Sequence, residues 1–450
     1  MKMASVYDKA RTIDELRKYC KPTPLTGDAL KFYIETDEAR DPHQDTRNKL
    51  AKSLEEGPSR ILFYGHPGSG KSTELNKFLE EQKEKWLPVK FSVLDEMTSS
   101  NILAEDLILI ITIKIMQAAN KVGIQGNQNL LEDVYNYFSK VTKEESKSQK
   151  REIGAKAGID TGASYMGQLI GLMTGVAAEI KMNSHSTETV VHTLRKRRAD
   201  LPMQANRVIE AIQQELQDKG KRLLVVVEDI DKLDLKQSHE MFVRNTNLLT
   251  GLTTDIIYTI PIYLFHSPDL TAFKHHFDYV IGLPMIKISN PIKAHTPGRK
   301  VIEAIIKARV EDNLIRKDAL KLLIEKTGGV LRHVFEVLNT VSTMADISAP
   351  ISKEAIQYGL DQLRKTCWQQ IALPVDNIAG ISSVNELYDR LAEYAKQQYE
   401  GKKTVPQSDP INQLLLKCCA LIEYNGEGWF GVHPLIIENL DKLGRLKHEP

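Results

Sequence analysis

Ile61-Leu62-Phe63-Tyr64-Gly65-His66-Pro67-Gly68-Ser69-Gly70-Lys71-Ser72-Thr73 is the stretch on which the reading of this chain turns. Four apolar residues run into a glycine-rich loop. The pattern STELNKFLEEQKEKW that follows has helical spacing, which gives strand, loop and helix in that order. The loop fits G-x-x-x-x-G-K-[ST] in the context this motif requires. Glycines let the backbone turn its N–H groups onto phosphate oxygens, and the helix start adds its positive end. The run Gly65, His66, Pro67, Gly68, Ser69, Gly70, Lys71, Ser72 and Thr73 is therefore the expected phosphate cradle. Lys71 would reach the β- and γ-phosphates and the Ser72 hydroxyl would ligate magnesium.

Outward from the loop, Pro88 to Leu94 reads as a second strand, so the unit is strand-helix-strand and opens a parallel sheet with helices on its faces. Arg222 to Val227 and Asp255 to Ile260 continue that sheet as near-continuous apolar runs. The first of them ends in Glu228-Asp229-Ile230-Asp231-Lys232, which puts acids at the strand's carboxyl end, where parallel sheets bind ligands. Glu228 is expected to hold magnesium through water and Asp229 to orient or deprotonate the attacking water, with the two roles exchangeable. The segment before the loop, 1 to 60, reads as an approach to the core and contains the extended piece KFYIETDEAR.

The expected α/β core spans 61–290, with an insertion at about 120–205 that follows an apolar helix near Asn101 to Val122. The centre of the insertion, KEESKSQKREIGAK, reads as a charged, solvated loop. From Thr161 to Ala178 no charge occurs, and Gly167, Gly171 and Gly175 recur every fourth residue. Such a stripe lets helices approach closely and predicts a buried hairpin or a self-association surface. Ser, Gln and Thr within so short a run argue against a membrane span. Beyond Thr296-Pro297-Gly298, four helical stretches (Arg299 to Val310, Lys317 to Thr327, Leu331 to Ala345, Ser352 to Ile371) predict a helical lid over 291–375. Over 376–450 the order helix, hairpin, helix predicts a winged-helix-like domain.

Composition sets the outer bounds. The 450 residues correspond to roughly three domains. With 60 Lys+Arg against 59 Asp+Glu the formal charge is +1, so no global field drives the chain onto nucleic acid or a membrane. The 42% hydrophobic and 26% charged residues exclude a largely disordered chain. Cys20, Cys367, Cys418 and Cys419 lack the spacing of a disulfide framework or a C-x-x-C zinc site, and the N-terminal MKMASVYDKARTIDELRKYC lacks a signal peptide's apolar run, so the cytoplasm is the expected compartment.

GHPGSGKSTEL and VVVEDIDKL, with the stretches beyond them, resemble the AAA+-related signal-transduction ATPases called STAND proteins and their origin-recognition relatives. The resemblance covers about residues 25 to 445 and implies a P-loop ATPase core, a helical lid and a winged helix, with ATP or ADP and Mg2+ as cofactors. It implies that Thr259, in DIIYTIPIYLFHS, is a sensor beside the γ-phosphate. Arg332, in TGGVLR, would be the lid arginine that reads phosphate, although the proline often seen there is absent. His433, in GVHPL, would touch the ADP β-phosphate in a closed resting state, although Pro434 stands where an acid is usual. Tyr33 and Ile34 would pass the adenine. Arg244 is the candidate arginine finger, supplied to a neighbouring subunit.

Such ATPases work as switches in signalling and antiviral defence. The resemblance implies an ATP-state homo-oligomer and a partner effector or sensor protein, because no sensor-repeat array follows His433. The alternatives are a winged-helix DNA-binding ATPase and a nucleotide-bound scaffold. Against DNA, residues 411–450 hold Lys417, Lys442, Arg445 and Lys447 against Glu423, Glu427, Glu438, Asp441 and Glu449, which is not a phosphate-binding balance. The basic run Arg195-Lys196-Arg197-Arg198 reads as a solvated face. The scaffold reading is disfavoured because lysine, hydroxyl and both acids are present.

Overall fold

The computed structural model describes residues 9–41, 45–97, 102–149, 164–182, 197–289, 295–371, 381–403, 405–425 and 429–446. At its centre lies a sheet of β1 (Arg60–Gly65), β2 (Trp86–Ser92), β3 (Arg222–Glu228), β4 (Asp255–Pro261) and β5 (Tyr279–Gly282), in the order β2-β3-β4-β1-β5. Every pairing is parallel. Leu223 to Val227 are wholly buried, as a central strand covered on both faces requires. This order puts β4 between the strand that feeds the glycine loop and the strand that ends in acids, so the loop and the acids open onto one crevice.

One face of the sheet is covered by helices Thr46–Ser53 and Lys71–Glu81, whose Leu50, Leu75 and Phe78 pack with Phe63 and Val226. Helix Ala104–Lys121 serves the other face. It is apolar on nearly all sides because it is sandwiched between β2 and the insertion helices. Those helices are Gln128–Gln149, Tyr165–Met182 and Leu201–Asp218, which pack on one another and on Ala104–Lys121. Two expectations change here. The start of KEESKSQKREIGAK belongs to helix Gln128–Gln149 rather than to a loop, and its remainder, 150–156, lies outside the described residues. The glycine stripe lies on helix Tyr165–Met182, where Cβ atoms added to Gly171 and Gly175 would meet nothing within 4 Å among the described residues, so none of those residues packs on that face there. Among the described residues no helix is long and apolar enough to cross a membrane.

Past the sheet come helices Thr296–Lys307, Lys317–Lys326, Leu331–Ser342 and Lys353–Gln369. Then follow helices Val384–Tyr399 and Pro410–Lys417, the antiparallel hairpin β6 (Leu421–Asn425) and β7 (Trp429–Val432), and helix Pro434–Lys442. The N-terminal segment is strapped to the helical region: Ala10 bridges Val310, and Asn339 donates to the Cys20 carbonyl at 2.9 Å. The hairpin is tied to the core, where the Met285 N–H donates to the Glu423 carbonyl at 3.0 Å. β5 has no counterpart in the sequence reading. It is a four-residue edge strand with an exposed Tyr279, too short and too half-buried to give an apolar run.

Candidate nucleotide site

Gly68 and Gly70 hold φ of +79° and +104°, which a side-chain-bearing residue resists, and Gly70 is the cap from which helix Lys71–Glu81 starts. The loop's backbone is thus turned toward the crevice by residues that alone tolerate the turn. Lys71 is buried, and its Nζ donates to the carbonyls of Gly65 at 2.8 Å and His66 at 3.1 Å and pairs with Asp231 Oδ2 at 2.8 Å. Three ammonium donors meet three acceptors, so a nucleotide phosphate must draw Lys71 away from groups that already satisfy it. Asp231 was not among the expected site residues. The signal for it is the third acid of Glu228-Asp229-Ile230-Asp231, displaced from β3 by one short helical turn.

Glu228, Asp229, Asp231, Ser72, Thr73 and Thr259 line one cleft of about 550 Å³ with the glycine loop. Glu228 Oε2 pairs with Lys90 Nζ at 2.6 Å, whereas its buried Oε1 has no partner among the described residues. A buried carboxylate oxygen without a donor fits a hydrated divalent cation, and Ser72 opens onto the same cleft. Asp229 sits at φ +67°, a strained backbone for a residue with a Cβ. Its Oδ2 accepts from Ser92 Oγ at 2.6 Å and its Oδ1 pairs with Lys232 at 2.6 Å. Burial opposes its charge, yet the bonds from Lys232 and Ser92 hold its carboxyl below the usual range. The single Thr259 hydroxyl proton has two acceptors in reach, the Val227 carbonyl at 3.2 Å and Asp231 Oδ1 at 3.3 Å, which places this hydroxyl beside the lysine's counter-ion.

Tyr33 and Ile34 both line the cleft. The Tyr33 hydroxyl donates to Glu74 Oε2 at 2.8 Å and meets Arg47, and its pKa is driven up first by burial and then by Glu74. Thr73 Oγ1 accepts from the Leu25 N–H at 3.2 Å, so the approach segment is fastened to the loop helix itself. Arg40 is a further residue that sequence reasoning missed. It is fully buried and donates to the carbonyls of Ser69, at 2.7 Å, and Pro284, and to Thr36 Oγ1 at 2.9 Å, which braces the loop from behind. Its place in KFYIETDEAR, close behind Tyr33, is the only trace it leaves in the sequence.

Arg332 lines the cleft from the lid, and a Cβ on Gly68 would stand 2.8 Å from its Cβ, so the lid helix rests on the loop. His433 does not line the cleft. Its Nδ1 accepts from the Leu435 N–H at 3.2 Å as a helix cap, and its Nε2 lies 3.0 Å from His333 Nδ1. Burial lowers the His433 pKa to about 4, so this ring is neutral. The expected contact of the C-terminal unit is made instead from the loop's side. His66, wholly buried, accepts the Glu423 N–H of β6 on Nε2 at 2.8 Å, and its ring also bonds the backbone of Leu416. Burial and then the Lys71 charge lower its pKa to about 3, so the neutral ring that can accept on Nε2 is the form present. Cys419 Sγ donates to the Pro67 carbonyl at 3.6 Å. Arg244 is exposed beside Glu240 and outside the cleft. Arg195 and Lys196 lie outside the described residues; Arg197 precedes and Arg198 opens a short turn of helix, Arg198–Asp200, and neither lines the cleft.

Residues 44–257 match the family profile described as the KAP family P-loop domain. Among solved structures, the chain is similar to a Walker-type ATPase of Pyrococcus abyssi at 12% identity, with 91% of this chain and 99% of that chain covered and a TM-score of 0.40. It is also similar to the RuvB Holliday junction branch migration motor of Thermotoga maritima at 12% identity, with 97% and 100% covered and a TM-score of 0.37. No curated protein matches the sequence. The chain carries a P-loop NTPase domain.

Proposed function

We propose that the chain is an ATP-binding and ATP-hydrolysing switch whose winged-helix-like C-terminal unit reads the state of the phosphate loop and controls a partner effector. The observation that carries this reading is the bond from the Glu423 N–H to His66 Nε2 at 2.8 Å. It joins a position that the loop motif leaves open to a hairpin 357 residues away in sequence, so movement of the loop around a phosphate would be felt directly by that unit. Lys71 supports the same view, since it is held by Asp231 and must be released for phosphate.

In this scheme the loop N–H groups and Lys71 bind the triphosphate, while Ser72 and the unpartnered oxygen of Glu228 hold hydrated Mg2+, which supplies charge neutralisation at the phosphates. Asp229, fixed by Ser92 and Lys232, orients the attacking water, and Thr259 positions Asp231. Arg332 reads phosphate from the lid. Homo-oligomerisation follows release of the C-terminal unit, as in the signal-transduction ATPases that the motifs resemble.

The test measures nucleotide binding, turnover and mass with ADP and with a slowly hydrolysed ATP analogue, with and without duplex DNA. Lys71→Ala should lose ATP binding, and Asp229→Asn should bind ATP but turn over about 10²–10⁴-fold more slowly. Wild type should change mass between the two nucleotides. One mass in both states refutes the switch, and a mass change that requires DNA transfers the reading to the DNA-binding ATPase.

A further inference from the structure

We propose that His333, Cys367 and His433 form a binding site for a borderline-soft divalent transition ion, with Zn2+ the best fit, at the joint between the helical lid and the C-terminal unit. One ligand atom from each of the three lies within 4.8 Å of the others, and all three residues are buried. The ligands come from three elements: His333 from helix Leu331–Ser342, Cys367 from helix Lys353–Gln369, and His433 from the cap of helix Pro434–Lys442. No sequence spacing could have announced them. The absence of C-x-x-C excludes only a site whose ligands are neighbours in the chain.

The geometry is close to what the ion requires. Zn–N bonds of about 2.05 Å and a Zn–S bond of about 2.3 Å in a tetrahedron set N···N near about 3.3 Å and N···S near about 3.6 Å. His333 Nδ1 and His433 Nε2 are 3.0 Å apart, so the rings need to open by about 0.3 Å. The thiol must close by at most about 1.2 Å, which a χ1 adjustment of Cys367 supplies. Two imidazoles and one thiol suit zinc rather than Mg2+ or Ca2+, which take oxygen ligands. His333 and Cys367 also line a cavity of about 860 Å³, which gives the ion a way in and leaves a fourth position for water.

The Cys367 thiol gives its proton to solvent as the Zn–S bond forms. The proton on His433 Nε2, which bonds the Thr327 backbone beside His333 Nδ1, moves to His433 Nδ1, at the expense of that bond and of the 3.2 Å bond that Nδ1 accepts from the Leu435 N–H. One proton is released per ion. Because Arg332, the neighbour of His333, rests on the phosphate loop at Gly68, an ion here would fix the lid to the C-terminal unit one residue from the nucleotide cleft.

The experiment titrates the full-length, chelator-stripped protein with Zn2+ and, separately, with Co2+. The expected result is one tightly bound Zn2+ per chain, and with Co2+ a thiolate charge-transfer band in the near ultraviolet together with four-coordinate d–d bands. Cys367→Ser should abolish the charge-transfer band and Cys20→Ser should keep it. His333→Gln should weaken Zn2+ by at least about 100-fold, since loss of an outer partner alone costs 10–100-fold. Because His333→Gln leaves the thiol in place, it remains informative if Cys367→Ser fails to fold. Absence of stoichiometric Zn2+ in wild type, or a charge-transfer band that survives Cys367→Ser, overturns the proposal and leaves the His333–His433 contact as packing.

Discussion

Lys71→Met, made in the absence of nucleotide, tests whether the phosphate-loop lysine is held by the protein as a structural cation. In the structure its ammonium and Asp231 Oδ2 are 2.8 Å apart, with side chains only 7% and 9% exposed. Removing one partner of a buried pair leaves a charge without its counter-charge, which costs about 3–5 kcal/mol. The lower end applies here, because Asp231 Oδ1 keeps the Thr259 hydroxyl and the pair borders an open cleft. For a domain of this size about 3 kcal/mol corresponds to a fall in Tm of about 6–12 °C. Adding Asp231→Asn removes the orphaned charge, so Lys71→Met/Asp231→Asn should recover most of that loss. Thermal unfolding of the four proteins of the cycle, stripped of nucleotide because bound ligand would add its own stabilisation, gives the coupling directly. A Lys71→Met protein that melts with wild type, or a double variant that melts no higher than the single, refutes the argument that Asp231 holds the lysine.

Asp37 and Gly171 give two further expected outcomes. Burial, and then the carboxylates of Glu74 and Glu35, lift the Asp37 pKa to about 7, and its buried Oδ1 has no partner among the described residues. The folded value is above the unfolded one of about 3.9, so the native state keeps a proton that the unfolded chain loses. This contribution to stability is full below pH about 4 and gone once the pH has passed about 7. Asp37→Asn cannot ionise, so its Tm should gain on wild type as the pH rises from 5 to 8, and parallel curves would contradict the assignment. Gly171→Leu should leave Tm unchanged or raise it by up to about 1 kcal/mol equivalent, because its Cβ enters open space and leucine favours a helix over glycine. A drop of several degrees would mean that this face is packed.

What could be read from the chain divides by the range of the interactions concerned. The loop, its helix, β1, β3 and β4 are local patterns, glycines at fixed offsets and unbroken apolar runs, so they were legible in position. β5 was not, since an edge strand that buries one face over four residues leaves no run to detect. Lys71, Ser72, Glu228, Asp229 and Thr259 meet in one cleft, as the motif grammar implies. Asp231 and Arg40 were missed because what matters about them is the contact they make across the crevice, with Lys71 and with the Ser69 carbonyl. His433 shows the opposite failure. Its short motif pointed to phosphate, but the ring is turned into the joint with His333, and the histidine that links the loop to the hairpin is His66, at a position the motif leaves free.

The contact between His66 and Glu423 also bears on how the protein is made. A ribosome adding roughly 5–20 residues per second needs about 20–70 s to travel the 357 residues between them. Throughout that interval β1 and its loop exist, but the donor that His66 accepts from and the backbone of Leu416 that it bonds have not been synthesised. The nascent phosphate loop therefore carries a histidine whose hairpin partner is not yet made, and the link between the loop and the C-terminal unit is among the last contacts the growing chain can form.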